Sequence, residues 1–325
     1  MTASEGLSYA AGVDVGGTKV SSALFGSDGR MWARNKSPLD RESAENAAGQ
    51  VARVLRDLEA AAVREGGRIR AAAVCVPGIV YQTRGLVWAP NVPGWVHFPL
   101  RERLTGAVSY PVLIESDRAA YVSGEAWRGA ARGARDVVFL AVGTGIGAGI
   151  ISGGRLVRGA EDISGAVGWF ALNPDFKAEY AEMGCFEAEA SGNGVARRAR
   201  RLLETGAHSE MMRLAGGRIA DVTAETVAAA ARVNDPAALK VTAETVSYLA
   251  MGIANIVSIL NPEIIVLGGG LFQAGDLLLE PIRREFKKWA QPLAAEKLRV
   301  VVSKLGEDAG LYGCGKLAWD SLKGD

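Results

Sequence analysis

Three glycine-rich turns contain the residue types that bind phosphate groups. The first turn reads DVGGTK from Asp14 to Lys19, the second reads GTGIGAG from Gly143 to Gly149, and the third is GGG at 268–270. Because glycine has no Cβ, the backbone N–H groups of such turns can approach an anion closely. The Asp14 carboxylate can hold Mg²⁺, and the Lys19 ammonium can reach a phosphate oxygen. These turns therefore predict phosphate chemistry assisted by a divalent cation.

Neither of the first two turns matches a standard nucleotide motif. A Walker A loop reads GxxxxGK[ST] before a helix, and DVGGTK lacks that spacing. The GTGIGAG turn superficially resembles the dinucleotide pattern GxGxxG, but the strand-like pair Ile150-Ile151 follows it where that pattern requires a helix. Each turn alone also suits a tight hairpin. The presence of three glycine clusters in one chain favours phosphate binding.

The pattern of strands and turns is repeated along the chain. Each of the first two glycine-rich turns lies between predicted strands, at 9–15, 20–25 and 31–36 in the first copy and at 137–142 and 148–152 in the second. The glycine turn at Gly29-Arg30 corresponds to Gly154-Arg155, and the offset between the copies is about 125 residues. The sequence therefore predicts a duplicated chain whose halves face each other across a cleft.

The rest of the chain alternates predicted helices with predicted strands. Alanine and leucine recur at helical spacing over 43–65 with Ser43 as N-cap, and Asp235-Pro236 begins a helix that extends to about Leu260. Predicted buried strands lie at 69–76, 112–115 and 264–267. The second of these leads to Asp117, which suits an N-cap, a catalytic carboxylate, or both. Such alternation predicts α/β layers with a largely parallel sheet in each half.

Five segments together resemble the ROK family of sugar kinases and repressors. They are DVGGTK, APN at 89–91, ESD at 115–117, VGTGIGAGII and LGGG, and the likeness extends from Gly12 to about Leu317. The resemblance implies an α/β fold of duplicated ribonuclease-H-like domains around a central cleft, as in actin-like ATPases. It divides the chain into a small N-terminal α/β domain at 1–117, completed by a C-terminal helix at 309–325, and a larger α/β domain at 118–308.

The resemblance also implies the roles of individual residues. Asp117 matches the general base that deprotonates the sugar hydroxyl, and Asp14 is the candidate ligand of Mg²⁺ beside ATP. ATP contacts are implied at Gly16, Gly17, Thr18, Lys19, Thr144, Gly145, Gly268, Gly269 and Gly270. Sugar contacts are implied at Gly78, Asn91, Ser116, Glu187 and Trp169. The alternative interpretations are a turn residue for Asn91 and a solvated charge at a helix start for Glu187.

The segment that usually binds structural zinc in this family differs here. The family glutamate and histidine of GExGH are replaced by Ala166 and Trp169, and only Cys185 remains of the CxCGxxGCxE cysteines. Structural zinc needs four nitrogen or sulfur ligands, so no zinc is expected and Cys185 is predicted to be a small buried residue. Trp169 is interpreted either as a stacking face for the substrate or as a core residue.

The same replacements affect the expected substrate. By resemblance the lost glutamate and histidine bind hydroxyls near the anomeric carbon, and two such hydrogen bonds are worth on the order of 10²–10⁴ in affinity. A strict glucokinase is therefore not expected. We expect ATP-dependent phosphorylation of a hydroxyl, by resemblance the terminal CH₂OH, of a hexose, a hexose derivative or an N-acetylhexosamine. The alternatives are a kinase of a cyclitol and a non-catalytic sugar-binding or regulatory protein of the family.

Composition excludes several other classes of protein. The 325 residues are 49% hydrophobic and 22% charged, with 37 basic against 36 acidic side chains, so no nucleic acid or membrane partner is expected. Three scattered cysteines and an N-terminus without a signal-peptide pattern favour a cytoplasmic protein, and no run of roughly 18 apolar residues is apparent. DVGGTK begins too early for a preceding helix-turn-helix, which disfavours a repressor. By resemblance a homodimer is expected.

Overall fold

The computed structural model describes residues 7–323 and contains two five-stranded sheets with the same pattern of strand pairing. The first sheet has the order β3-β2-β1-β4-β8. Its strands are β1 Leu7–Val15, β2 Lys19–Phe25, β3 Met31–Pro38, β4 Gly67–Val76 and β8 Val112–Ser116. The strands β1, β2 and β3 pair antiparallel, whereas β4 pairs parallel with both β1 and β8.

The second sheet repeats this arrangement with the order β11-β10-β9-β12-β13. Its strands are β9 Val137–Val142, β10 Ile146–Ser152, β11 Arg155–Leu156, β12 Ile264–Gly268 and β13 Arg299–Val302. The strands β9, β10 and β11 pair antiparallel, and β12 pairs parallel with both β9 and β13. The duplicated α/β fold predicted from the sequence is thereby confirmed, although the third strand of the second copy is only two residues long.

A small third sheet and twelve helices complete the described chain. The third sheet has the order β5-β6-β7, with β5 Ile79–Tyr81, β6 Leu86–Trp88 and β7 Val96–Phe98. The helices are α1 Ala44–Arg64, α2 Leu100–Thr105, α3 Asp117–Arg128, α4 Tyr180–Met183, α5 Cys185–Ala190, α6 Gly192–Glu204, α7 Glu210–Leu214, α8 Ala224–Arg232, α9 Pro236–Leu260, α10 Gly275–Glu285, α11 Pro292–Lys297 and α12 Ala309–Asp320. Ser43 caps α1 by accepting from the Asn46 amide at 3.1 Å, and Asp235 caps α9, as the sequence predicts.

Two helices cross between the halves. Helix α3 follows β8 of the first sheet but packs against β9 and β10 of the second, while α12 follows β13 but packs against β1 and β4. The two helices also pack against each other, because glycines remove the side chains between them: a Cβ at Gly313 would lie 1.8 Å from the Ala120 carbonyl oxygen. The C-terminal helix predicted at 309–325 ends at Asp320, and its residues 324–325 lie outside the described residues. The domain boundaries stay a prediction.

Helix α9 is long and apolar enough, by length and composition alone, to meet the criterion for a membrane-spanning helix. The sequence reading of no sufficiently apolar run is therefore wrong for this segment. Half of its most apolar window is buried inside the protein, and Leu249, Ile253 and Val257 belong to the core of the second half. A helix that packs against several neighbouring elements needs this composition without any membrane.

Candidate active site

Asp117 lies where the first sheet ends and α3 begins. Ser116 is the N-cap, its Oγ accepting from the Ala119 amide at 3.2 Å, so the prediction that Asp117 serves as N-cap is wrong. Asp117 is instead the first helical residue, and its Oδ1 accepts from the Arg118 amide at 2.8 Å. Ser116 therefore provides the N-cap, while one oxygen of the Asp117 carboxylate accepts from the neighbouring amide.

The surroundings of Asp117 raise the pKa of its carboxyl group to about 7. Burial is the main cause, and the negative charge of Asp14 adds to it, whereas the Arg118 guanidinium, its backbone amide and the Tyr121 hydroxyl oppose the shift. A carboxylate with a pKa near neutrality accepts a proton more readily than an ordinary aspartate. The side chain is therefore suited to general base catalysis at neutral pH.

Asp14 is the second carboxylate of the site. It lies on β1 just before the first turn, and its side chain is half-buried. The Cys75 thiol donates to its Oδ1 at 3.2 Å, and burial raises the pKa of the Asp14 carboxyl while Lys19 lowers it. The start of α12 leaves room for this side chain, since a Cβ at Gly310 would lie 2.5 Å from Asp14 Oδ2. Within residues 7–323 no group of three or more His, Cys, Asp or Glu side chains is arranged for a metal ion.

The first turn contacts the segment that contains Asn91. A Cβ at Gly17 would lie 3.1 Å from the Asn91 Cβ, so these two predicted site residues are neighbours. The turn is closed by the Gly16 amide, which donates to the Lys19 carbonyl at 2.8 Å. The Lys19 ammonium, predicted to contact phosphate, lies 3.3 Å from a Glu307 carboxylate oxygen, which it shares with Lys36.

The second and third glycine turns meet each other at the end of the second sheet. A Cβ at Gly143 would lie 3.8 Å from the Gly270 amide nitrogen, and the Gly192 amide at the start of α6 donates to the Gly143 carbonyl at 2.8 Å. Gly269 has a left-handed φ of 92°, and its missing Cβ would lie 2.4 Å from the Val142 carbonyl oxygen. Thr144 is exposed at the tip. Strand β10 follows this turn directly, as predicted when the dinucleotide motif was excluded.

Glu187 extends from α5 to the second turn. Its Oε2 accepts from the Ile146 amide at 2.7 Å, and burial raises the pKa of its carboxyl group. The carboxylate fills the space left by glycine, since a Cβ at Gly145 would lie 2.7 Å from the same oxygen. The alternative interpretation of Glu187 as a solvated charge is therefore wrong.

Trp169 ends a 3₁₀ turn, Val167–Trp169, and its side chain is 57% exposed. Core packing, the alternative interpretation for this residue, is therefore wrong.

Gly78, which follows β4, allows close contact with β6, because a Cβ there would lie 2.0 Å from the Trp88 carbonyl oxygen.

A polar network around the buried Glu189 flanks residues 178–187, the segment that resembles the family's zinc motif. Glu189 accepts from Lys177 at 2.5 Å, from Arg198 at 3.0 Å and from the Tyr180 hydroxyl. Burial opposes ionisation of Glu189, but these donors outweigh it and lower the pKa to about 2. Cys185 lies beside this network and is buried. The segment is thus held by charge-assisted hydrogen bonds.

Sequence reasoning missed several side chains that contact the two carboxylates. Tyr121 lies four residues after Asp117 on α3, which puts both side chains on one helix face. That spacing is a signal the sequence offered. Cys75 lies beside Asp14 because their strands pair, and Gly310 lies beside it because α12 packs against β1. No local sequence signal indicates either neighbour.

Comparisons with known proteins agree with this architecture. The ROK family model matches residues 10–321. A glucokinase from Halalkalibacterium halodurans is 31% identical over 309 residues, which are 94% of this chain and 93% of that protein. A ROK family glucokinase from Streptomyces griseus, solved with glucose and AMPPNP, is 30% identical with a TM-score of 0.76 and covers 96% of this chain and 99% of its own. A ROK hexokinase from Thermus thermophilus is 30% identical with a TM-score of 0.81, covering 98% and 100%.

The duplicated sheets define an α/β protein of the actin-like ATPase fold. The chain belongs to the ROK family. Its enzyme class, as predicted, is that of a sugar kinase.

Proposed function

We propose that the protein transfers the γ-phosphoryl group of ATP to the terminal CH₂OH of a hexose, a hexose derivative or an N-acetylhexosamine, with Asp117 as general base. The observation that carries the proposal is the Asp117 carboxyl group, whose pKa is raised to about 7 by burial and by Asp14. A sugar hydroxyl is a poor nucleophile, and a positioned base accelerates its attack by roughly 10²–10⁴.

ATP is proposed to lie against the glycine turns of both halves. Gly143, Gly269 and Gly270 leave backbone rather than side chains at the end of the second sheet, which suits a nucleotide. Asp14 fits Mg²⁺, because this cation is commonly held by one or two carboxylates together with phosphates and water. Mg²⁺ would neutralise negative charge on the transferred phosphoryl group. Asp14 would hold the cation, and Cys75 fixes the orientation of that carboxylate.

The acceptor sugar is proposed to bind among Gly78, Asn91, Ser116, Glu187 and Trp169. Glu187 remains a hydrogen-bond acceptor even with the Ile146 amide bound, since a carboxylate has about four lone-pair sites. The exposed side chain of Trp169 offers apolar stacking at the position where the family resemblance implies a histidine. This supports an acceptor with an apolar substituent, such as an N-acetyl group, over strict use of glucose.

The test is coupled ADP release with ATP and Mg²⁺ over glucose, mannose, fructose, their N-acetylated amines and several cyclitols. Turnover on one acceptor that is lost in Asp117→Asn supports the proposal and identifies the substrate. Asp320→Asn is the matched control, since it makes the same substitution at a carboxylate that pairs with Lys316 and Lys323 at the end of α12 and leaves the base. Activity retained in Asp117→Asn overturns the assignment of the base, and ATP binding without turnover on any acceptor favours a regulatory protein.

A further inference from the structure

Residues 157–165, here called the strap, form a loop attached to one strand of the second sheet. The Val157 amide donates to the Ile150 carbonyl at 2.9 Å, and the Ala148 amide donates to the Gly165 carbonyl at 2.7 Å. Both ends of the strap are thus fixed on β10. Gly165 cannot be replaced without movement, since a Cβ there would lie 1.8 Å from the Ala148 carbonyl oxygen.

The strap contacts the first half through two of its residues. Arg158 Nε donates to Glu115 Oε1 at 2.9 Å, and its Nη2 contacts the same oxygen. Asp162 Oδ2 accepts from the Gln82 amide at 2.9 Å. Asp162 has a left-handed φ of 58°, which a non-glycine residue adopts only where its surroundings fix it.

Both contacts lead to the carboxyl end of β8. Glu115 lies two residues before Asp117 in the sequence, and its side chain is only 4% exposed. The Gln82 side chain donates to the Ile114 carbonyl at 2.9 Å, which ties the second contact to the same strand end. The Glu115 charge is buried with Arg158 as its partner, so removal of the guanidinium leaves it uncompensated.

The strap continues directly into residues 165–169, which end at the exposed Trp169. We propose that Arg158 and Asp162 are positioning residues for the acceptor: they hold residues 165–169 of the second half in a fixed place relative to Asp117 of the first. This inference rests on the proposed function. The strap acts through segment 165–169 and β8, so its loss weakens use of the acceptor more than use of ATP.

The experiment measures KM for acceptor and for ATP, with kcat, in wild type and in Arg158→Gln, Arg158→Lys and Asp162→Gly. Glycine at 162 accommodates the left-handed backbone and removes the carboxylate that accepts from the Gln82 amide. We expect the KM for acceptor to rise on the order of tenfold in Arg158→Gln, with partial recovery in Arg158→Lys, a smaller rise in Asp162→Gly, and the KM for ATP within about twofold of wild type. Arg155→Gln, an exposed arginine on β11, is the matched control.

A second measurement follows the strap without turnover. Amide hydrogen exchange of residues 157–169 is expected to accelerate in Arg158→Gln, while exchange of α1 stays at the values of Arg155→Gln. Unchanged exchange overturns the proposal, as does an equal rise in the two KM values, which would indicate general loosening. If wild type is active and Arg158→Gln has unchanged kinetics, the positioning role of the strap is overturned and the proposed function stands. Inactive wild type with every acceptor overturns the proposed function, and the acceptor role of the strap with it.

Discussion

The two halves of the molecule share a scaffold but place different side chains at equivalent points. In the first half Val15 and Val20 close the hairpin, and Asp14 before it pairs with Cys75 of the parallel strand. In the second half Val142 and Ile146 close the hairpin, and the residue before it, Ala141, pairs with Gly268. One half therefore puts a carboxylate and a thiol where the other puts two small residues. The proposed proton and metal chemistry therefore belongs to the first half, and the proposed nucleotide to the second.

The helices that follow the last strands differ in the same way. Helix α3 begins with Asp117 itself, whereas α12 begins with Ala309 and Gly310, preceded by Asp308. Gly310 provides the space that the Asp14 carboxylate occupies. The second copy of the scaffold thus contributes room at the point where the first contributes the proposed base. The duplication gives two equivalent scaffolds, and the first half carries the acidic residues proposed for catalysis.

The largest expected effect is on kcat, and it distinguishes Asp117 at the start of α3 from Asp308, which precedes the equivalent helix α12. Asp117→Asn should lower kcat by roughly 10²–10⁴, because the amide cannot accept the hydroxyl proton. Asp308→Asn removes an exposed ion pair with Arg34, at 2.6 Å, and should change kcat by less than about fivefold. Steady-state ADP release measures both. Equal losses in the two variants would contradict the assignment of the chemistry to the first half.

A smaller effect concerns the glycines proposed to border the nucleotide. Gly269→Ala introduces a Cβ 2.4 Å from the Val142 carbonyl oxygen at a φ of 92°, so we expect a loss of about 2–4 kcal/mol in the free energy of unfolding. Within the described part of the chain, a Cβ at Gly270 meets no atom within 4 Å. Gly270→Ala should therefore stay within about 0.5 kcal/mol of wild type. Urea unfolding measures the pair, and similar stabilities would show that Gly269 is not required by the backbone.

The pH dependence should follow the Asp117 carboxyl group. With a pKa of about 7, kcat/KM should fall about tenfold per pH unit below that value and level off above it, since only the carboxylate accepts a proton. The folded pKa lies above the ordinary value of 3.8, so the folded state binds the proton more tightly and ionisation costs stability as the pH rises from 3.8 to about 7. Asp117→Asn should therefore become more stable relative to wild type over that range. A kcat/KM profile that stays flat through pH 7 would contradict the raised pKa.

Local signals allowed much of the scaffold to be predicted. The glycine turns, the strands beside them and the caps Ser43 and Asp235 depend on neighbouring residues, and the structure confirms them. The N-cap of α3 was misassigned by one residue, because Ser and Asp both favour that position. Contacts between distant residues could not be predicted. Glu187 reaches the Ile146 amide across 41 positions, and Glu307 reaches Lys19 across 288.

The smallest expected effect distinguishes two lysines that share one partner. The ammonium groups of Lys19 and Lys36 lie 3.3 Å and 3.0 Å from the same Glu307 oxygen, and both side chains are about half exposed. Each ion pair therefore adds little to the stability of the folded protein. Only Lys19 adjoins the glycine turn, so Lys19→Met should raise the KM for ATP about threefold to fivefold while Lys36→Met leaves it unchanged.

The comparison works because both substitutions remove one contact with Glu307 and one positive charge. If Lys19→Met and Lys36→Met raise the KM for ATP equally, the cause is the loss of positive charge in general. The turn then has no specific lysine contact with phosphate. A difference confined to Lys19 assigns that contact to the first half, so the bound nucleotide would join the two glycine-rich hairpins across the cleft.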